Sequence, residues 1–302
     1  MDNIVSSLLF GQILAILVAI TSAEKSLLFS HLGKKVSTRA TVHIRLWIAL
    51  PLIMLLTLIC EGTAFLHVSL QTWLVLLLSG VIGFFICDSF AFWAFANIGA
   101  REAMVIMTLN PIFHSILSYF FFSEVLSFYQ ILSILITISG IIILILAKNK
   151  KSDNLKKKNK TKGILFAFLG ALFQAISNII AKSALDTLSP LSLNTIRMIG
   201  GFIAAVVFAI FVRKEFIKDF KSYKSVNNLA LLALASISGP IIGITILLAA
   251  FNYAPVGLVT AIAQISPIFI LVYELVFLKK RISLLEIIGT LISVLGVSLM
   301  FI

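Results

Sequence analysis

The chain has 302 residues, 60% of them hydrophobic and only 12% charged, with a formal charge of +12. A soluble domain of this length has too little interior for so much apolar surface, and apolar runs of about 20 residues, enough to cross ~30 Å of hydrocarbon, recur throughout. The basic residues sit in short loops between these runs, with no aromatic-interleaved basic domain, which excludes a nucleic-acid-binding protein, and two cysteines, Cys60 and Cys87, give neither a disulfide framework nor a metal spacing.

Ten spans are predicted, at 4–27, 43–60, 72–95, 102–122 and 128–147, then 163–184, 192–212, 228–250, 257–278 and 284–301. The first lacks a Lys or Arg ahead of its apolar run, so it reads as a transmembrane helix and not a signal peptide. Residues 1–147 form one five-helix repeat and 163–302 a second, joined by a Lys- and Asn-rich linker, 148–162, read as solvated chain. The repeat is clearest in "NPIFHSILSYFFFSEVLSFYQ" from Asn110 and "SPIFILVYELVFLKKRISLLE" from Ser266. A shift of 156 pairs Pro111 with Pro267, Phe113 with Phe269, Ser127 with Ser283 and Gly140 with Gly296, among nine identities in the 36 positions from Asn110 to Ile145. It also pairs Gly83 with Gly239, and a shift of 152 pairs Arg45 with Arg197. A repeat of this kind fixes the architecture ahead of any local reading. With five spans per half, the second half enters the membrane inverted, the arrangement by which secondary transporters reach two related conformations.

Charge orients the chain. Twenty of the 24 Lys and Arg fall on one side: Lys34, Lys35, Arg39, Arg101, the linker, the 213–224 loop and the 279–281 loop. The other four, Lys25, Arg45, Lys182 and Arg197, lie within spans. The positive-inside rule puts the basic loops in the cytoplasm and both termini outside, in the inner (plasma) membrane. Ala15, Ala19 and Ala23, and likewise Ala167, Ala171 and Ala175, form small-residue stripes for close helix packing.

Ionisable groups in hydrocarbon cost several kcal/mol and need a partner or a wet cavity. Asp88, Glu274 and Glu24 are the candidate proton-coupling carboxylates, expected to join Lys25 and Arg45 around the entrance of a central cavity. Static ion pairs with snorkelling are the competing reading. Arg45 and Arg197 each offer a fork of N–H donors for a carboxylate or phosphate, or a structural pair. Asn110, His114 and Ser118 follow one another at i, i+4, i+8 around Pro111, and Thr260, Gln264 and Ser266 surround Pro267. A proline within a span removes a backbone hydrogen bond, and the break survives in a membrane only against protein or a cavity. The paired breaks therefore mark a candidate binding site, joined by Gln174 and Asn178 on one face of span 6; a plain kink with polar residues joining helices is the alternative. Phe84, Phe85, Phe90, Phe92, Trp93 and Phe95 make span 3 aromatic, for a pocket lining or for lipid packing. Lys182 reads as an i, i+4 partner of Asp186, and Glu124 as a turn residue.

The five-plus-five repeat, and the run from Pro111 through Glu124 and Ser127 to Gly140, resemble the EamA-type branch of the drug/metabolite transporter superfamily over nearly the whole chain. In the second copy Lys280 stands where that family often has Glu. The resemblance implies export or exchange of amino acids, metabolites or drugs, commonly driven by proton motive force. It also implies cytoplasmic termini, opposite to the charge count, which is retained here. The expectation is an all-α integral membrane protein that acts as a secondary active exporter of small organic solutes. Its partners are then the solute, protons and the bilayer, with no cofactor and no metal. An exchanger of anions such as sugar phosphates or nucleotide sugars would need a strongly basic cavity, whereas the intramembrane bases here read as matched by acids. A membrane-embedded enzyme is disfavoured because no HExxH, nucleophile elbow or phosphate-cradling glycine loop is present. A scaffold needs neither an inverted repeat nor mid-span prolines.

Overall fold

The computed structural model describes residues 2–32, 36–147, 160–214, 216–223, 225–276, 279 and 283–299, and their regular structure is entirely helical. In the first half, α1 spans Asp2–Leu32 and α2 spans Thr38–Glu61. The Ser37 side chain accepts from the Ala40 N–H and so caps the α2 N-terminus. Then α3 (Leu70–Gly80) passes through a π-helical stretch, Val81–Cys87, into α4 (Asp88–Met107), followed by α5 (Asn110–Phe122) and α6 (Phe128–Ala147). In the second half come α7 (Lys160–Lys182), α8 (Pro190–Val207) with a π turn at Phe208–Val212, and the short α9 (Phe216–Lys221). Next, α10 (Val226–Ser236) runs through a second π stretch, Ile237–Gly243, into α11 (Ile244–Ala250), and then come α12 (Val256–Ala263), α13 (Ser266–Val276) and α14 (Leu284–Leu299).

Seven of the described helices are long and apolar enough to cross a membrane, and two shorter apolar ones run over Phe128–Ile143 and Leu284–Val297. Large apolar side chains such as Leu70, Phe120, Phe128 and Leu284, each more than 70% exposed, cover their outer faces. Such a surface suits lipid and not water. Both alanine stripes are buried, which brings the helix backbones together.

One expected loop is absent. The stretch between spans 3 and 4, residues 96–101, is helical, and α4 continues to Met107. Ala, Arg, Glu and Met around it favour helix, and Gly99 alone costs only about 1 kcal/mol. Its counterpart at a shift of 156 is Pro255, and there the helix does end, at Ala250, in a turn.

Several elements coincide between the halves. A shift of 156 carries Leu70–Gly80 onto Val226–Ser236, the π stretch Val81–Cys87 onto Ile237–Gly243, and the starts of α5 and α6 onto those of α13 and α14. The breaks correspond too: α4 stops at Met107 and α12 at Ala263, just ahead of Pro111 and Pro267. The mates α6 and α14 cross in close contact. A Cβ on Gly140 would come within 2.5 Å of the Ser293 nitrogen, and one on Gly296 within 2.6 Å of the Thr137 nitrogen. Position rises along α6 as it falls along α14, so the two helices run antiparallel.

Candidate functional site

Two helices of opposite halves build the polar centre. α5 and α7 lie side by side with a constant offset of 64 residues, so residues one turn apart on each form successive rungs. In the first rung Asn110 Nδ2 donates to Gln174 Oε1 at 2.5 Å. In the second, Asn178 and His114 meet at 3.1 Å. In the third, Glu124 joins Ser118 to Lys182.

Donor logic orients the middle of this ladder. The Arg197 guanidinium can only donate, and its Nη2 reaches Asn178 Oδ1 at 3.3 Å. That leaves Asn178 Nδ2 to donate to His114 Nε2, so the ring proton sits on Nδ1 and points to the Asn110 carbonyl, 2.9 Å away. Arg197 Nη2 also donates to Ser177 Oγ at 2.9 Å, and Ser177 and Ser79 exchange hydrogen bonds with each other's carbonyls at 2.7 Å. Asn110, His114, Asn178 and Arg197 are all at most 4% exposed. The repeat does not duplicate the ladder: the counterparts of Gln174 and His114 are Val18 and Ile270.

Arg45 lies at the first π stretch. It donates to the Phe84 carbonyl at 3.3 Å and pairs with Asp88, the first residue of α4. The irregular turn thus leaves a carbonyl for a side chain to bind. Lys25 lies within electrostatic reach of Arg45. Glu24 does not join them, because it is exposed: successive helix positions point about 100° apart, so a Lys25 turned inward turns its neighbour out. The side chain of Glu274 lies outside the described residues, as do those of Pro267 and Phe95.

The break in the second half holds Gln264, whose Nε2 approaches the Met107 carbonyl at 3.4 Å, so each break touches the other. Ser266 is buried beside it. Ser118 belongs to the Glu124 rung, and Thr260 bonds back to its own helix at the Val256 carbonyl. A cavity of about 150 Å³ is lined by Phe85, Phe92 and Trp93 together with His43, Ser89 and Arg213. Phe90 instead stacks on Phe173 at 5.6 Å. Among the described residues no three of His, Cys, Asp and Glu converge as a metal site requires.

Sequence reasoning missed three features. Glu124 is more than a turn residue: it pairs with Lys182 and accepts the Val256 N–H at 2.9 Å at the start of α12, so it ties three elements together. Buried Asp219 holds His43 Nδ1 at 3.1 Å and both Arg213 terminal nitrogens at 3.1 and 3.2 Å, while Trp47 Nε1 donates to His43 Nε2 at 3.2 Å. Asn194 donates to the carbonyl of Pro240 at 2.9 Å in the second π stretch. Only the periodic placement of Ser118, four residues beyond His114, hinted at any of these.

The model of the EamA-like transporter family matches this chain twice, over residues 9–146 and 161–302. The chain belongs to the EamA-like transporter family. This EamA-like protein is therefore an integral membrane protein of the transporter class, in line with the drug/metabolite transporter resemblance. Its fold recurs in a solved crystal structure with a TM-score of 0.77 at 16% identity, covering 97% of this chain and 96% of the other. At that identity the likeness concerns the fold alone. No curated protein sequence matches the chain.

Proposed function

We propose that this EamA-like protein is a secondary active transporter that exports small organic solutes by alternating access, with Asp88 as the proton-responsive carboxylate. The observation that carries the reading is the reciprocal, antiparallel contact of α6 with α14. Repeat mates that meet with their order reversed are related by a two-fold axis across the helices, and an axis in that direction inverts one half relative to the other. Residues 1–147 and 163–302 are then two five-helix repeats of inverted topology with ten membrane crossings, the chain reversing between α4, which runs antiparallel to α7, and α5, which runs parallel to it. The basic loops lie in the cytoplasm, both termini lie outside, and the membrane is the inner one.

The paired interruptions support a substrate site at the repeat interface. Discontinuous helices in a bilayer persist where they face protein or a cavity, and here both breaks and both π stretches converge on buried polar groups. Asn110, His114, Gln174, Asn178, Gln264, Ser266, Arg45 and Arg197 are the residues we assign to it. Asp88 supports coupling through its bond to Arg45: protonation of the carboxylate releases the guanidinium, and the two repeats then exchange partners across the cavity. Glu274 remains a further coupling candidate.

Purified protein in proteoliposomes with an imposed pH gradient, offered a pooled panel of labelled amino acids and small metabolites, tests this reading. The expected result is gradient-dependent accumulation of one solute class that Asp88→Asn abolishes without unfolding the protein. Normal gradient-driven flux in Asp88→Asn would remove the coupling role.

A further inference from the structure

We infer that Lys25, Arg45 and Arg197 form the docking site for an anionic group, a carboxylate or a phosphate, on the transported solute. This rests on the transporter reading and names the chemistry of what is carried.

Arg45 and Arg197 both lie against Phe84, one on its carbonyl at 3.3 Å and the other 5.7 Å from its ring. The buried Cys87 thiol, which donates to the Gly170 carbonyl at 3.3 Å, lies within electrostatic reach of all three cations. Among the described residues one carboxylate, Asp88, accompanies them, and Arg45 engages it. Among the described residues no carboxylate stands at ion-pair distance from Lys25 or from Arg197. The cluster, among the described residues, therefore holds more cations than carboxylates.

Arg197 is the sharpest member. It is 2% exposed, yet both Nε and Nη1 lack any hydrogen-bond partner, as does Nε of Arg45. The Phe84 ring, 5.7 Å from its guanidinium carbon, gives partial compensation only. A guanidinium taken out of water without a counter-ion is costly, and an anion arriving at Arg197 would offset that cost. Arg is also the side chain whose planar fork suits carboxylate and phosphate oxygens.

Space is kept for these cations at both irregular turns. A Cβ at Gly83 would come within 2.4 Å of Ser177 Oγ, which Arg197 binds, and 3.3 Å of Arg197 Nη2, and one at its repeat mate Gly239 within 2.2 Å of Lys25 Cδ. Each π stretch thus presents a glycine to a basic side chain from the opposite half. A solute anion bound between them would touch both repeats at once, which is what a substrate that couples their motion must do.

The test is thermal unfolding of purified wild type, Arg197→Met and Lys25→Met, titrated with sodium lactate, sodium phosphate and the uncharged lactamide at constant ionic strength. The wild type is expected to gain stability saturably with lactate or phosphate and not with lactamide. Response to lactate alone assigns a carboxylate, and response to phosphate alone assigns a phosphate. Without added anion, Arg197→Met is expected to unfold at or above the wild-type midpoint and to lose the anion response. Lys25→Met is expected to weaken apparent anion affinity about tenfold. If Arg197→Met fails to fold or unfolds below wild type, Arg197 is a structural anchor and the inference is wrong. It is equally wrong if neither anion acts, if lactamide acts as well as lactate, or if both variants keep the response. No flux enters this measurement, so anion binding here by a protein that moves no solute would refute the transport reading alone.

Discussion

Gly140 of α6 lies against Ser293 of α14, and the contact is repeated, mates exchanged, between Gly296 and Thr137. Both glycines stand where a side chain would strike opposing backbone nitrogen, so neither contact tolerates a Cβ without moving a helix. Gly140→Val and Gly296→Val should each destabilise the protein by about 1–3 kcal/mol, the usual range for overpacking. Because the contacts are images of each other, the two losses should be similar in equilibrium unfolding. A large loss at one position and none at the other would contradict the two-fold relation.

Glu124 should behave as a structural keystone. Glu124→Gln leaves Lys182, whose side chain is 14% exposed, without its counter-ion and weakens the acceptor for the Val256 N–H. Breaking a pair of this burial costs roughly 3 kcal/mol. Glu124→Gln combined with Lys182→Met should lose less than the sum of the single variants, because no unpaired charge remains. Additive losses in a double-mutant cycle would show that the two groups do not interact.

Asp219 fastens α9 to α2 through His43 and to the end of α8 through Arg213. Asp219→Asn should loosen this joint and raise amide hydrogen exchange over 216–221 relative to α2. Unchanged protection there would mean that the aromatic contacts of Phe216 and Phe220 with Trp47 hold α9 on their own.

Local spacing made much of this legible. Asn110, His114 and Ser118 recur every turn, and Gln174, Asn178 and Lys182 do the same, so two polar stripes were visible although their pairing was not. The matched prolines and glycines disclosed the repeat because few other residues are tied so tightly to backbone geometry. What escaped depends on contacts between distant residues. Nothing local tells His43 that Asp219, 176 positions away, will hold it, nor Lys182 that Glu124 will. The π stretch Val81–Cys87 is apolar, with no proline to announce it, whereas its mate contains Pro240. The 96–101 segment carries Gly99 and Arg101, which locally suit a loop, yet its other residues favour helix and α4 runs through it.

Orientation has a direct readout. With twenty basic residues on one side, an epitope at the N-terminus should be accessible in spheroplasts with a sealed inner membrane, and a cysteine introduced in the 148–162 linker should react only after that membrane is opened. The reverse labelling pattern would restore cytoplasmic termini.

The central claim is that one buried site serves both sides of the membrane in turn. Gln174, on the ladder at the interface of the repeats, is the position to probe. Gln174→Cys, in a background with Cys60 and Cys87 replaced, would be treated with a membrane-impermeant maleimide from either face, in right-side-out and inverted vesicles. Alternating access predicts reaction from both faces, each at a rate set by the fraction of time the site opens that way. Reaction from one face only would contradict the account.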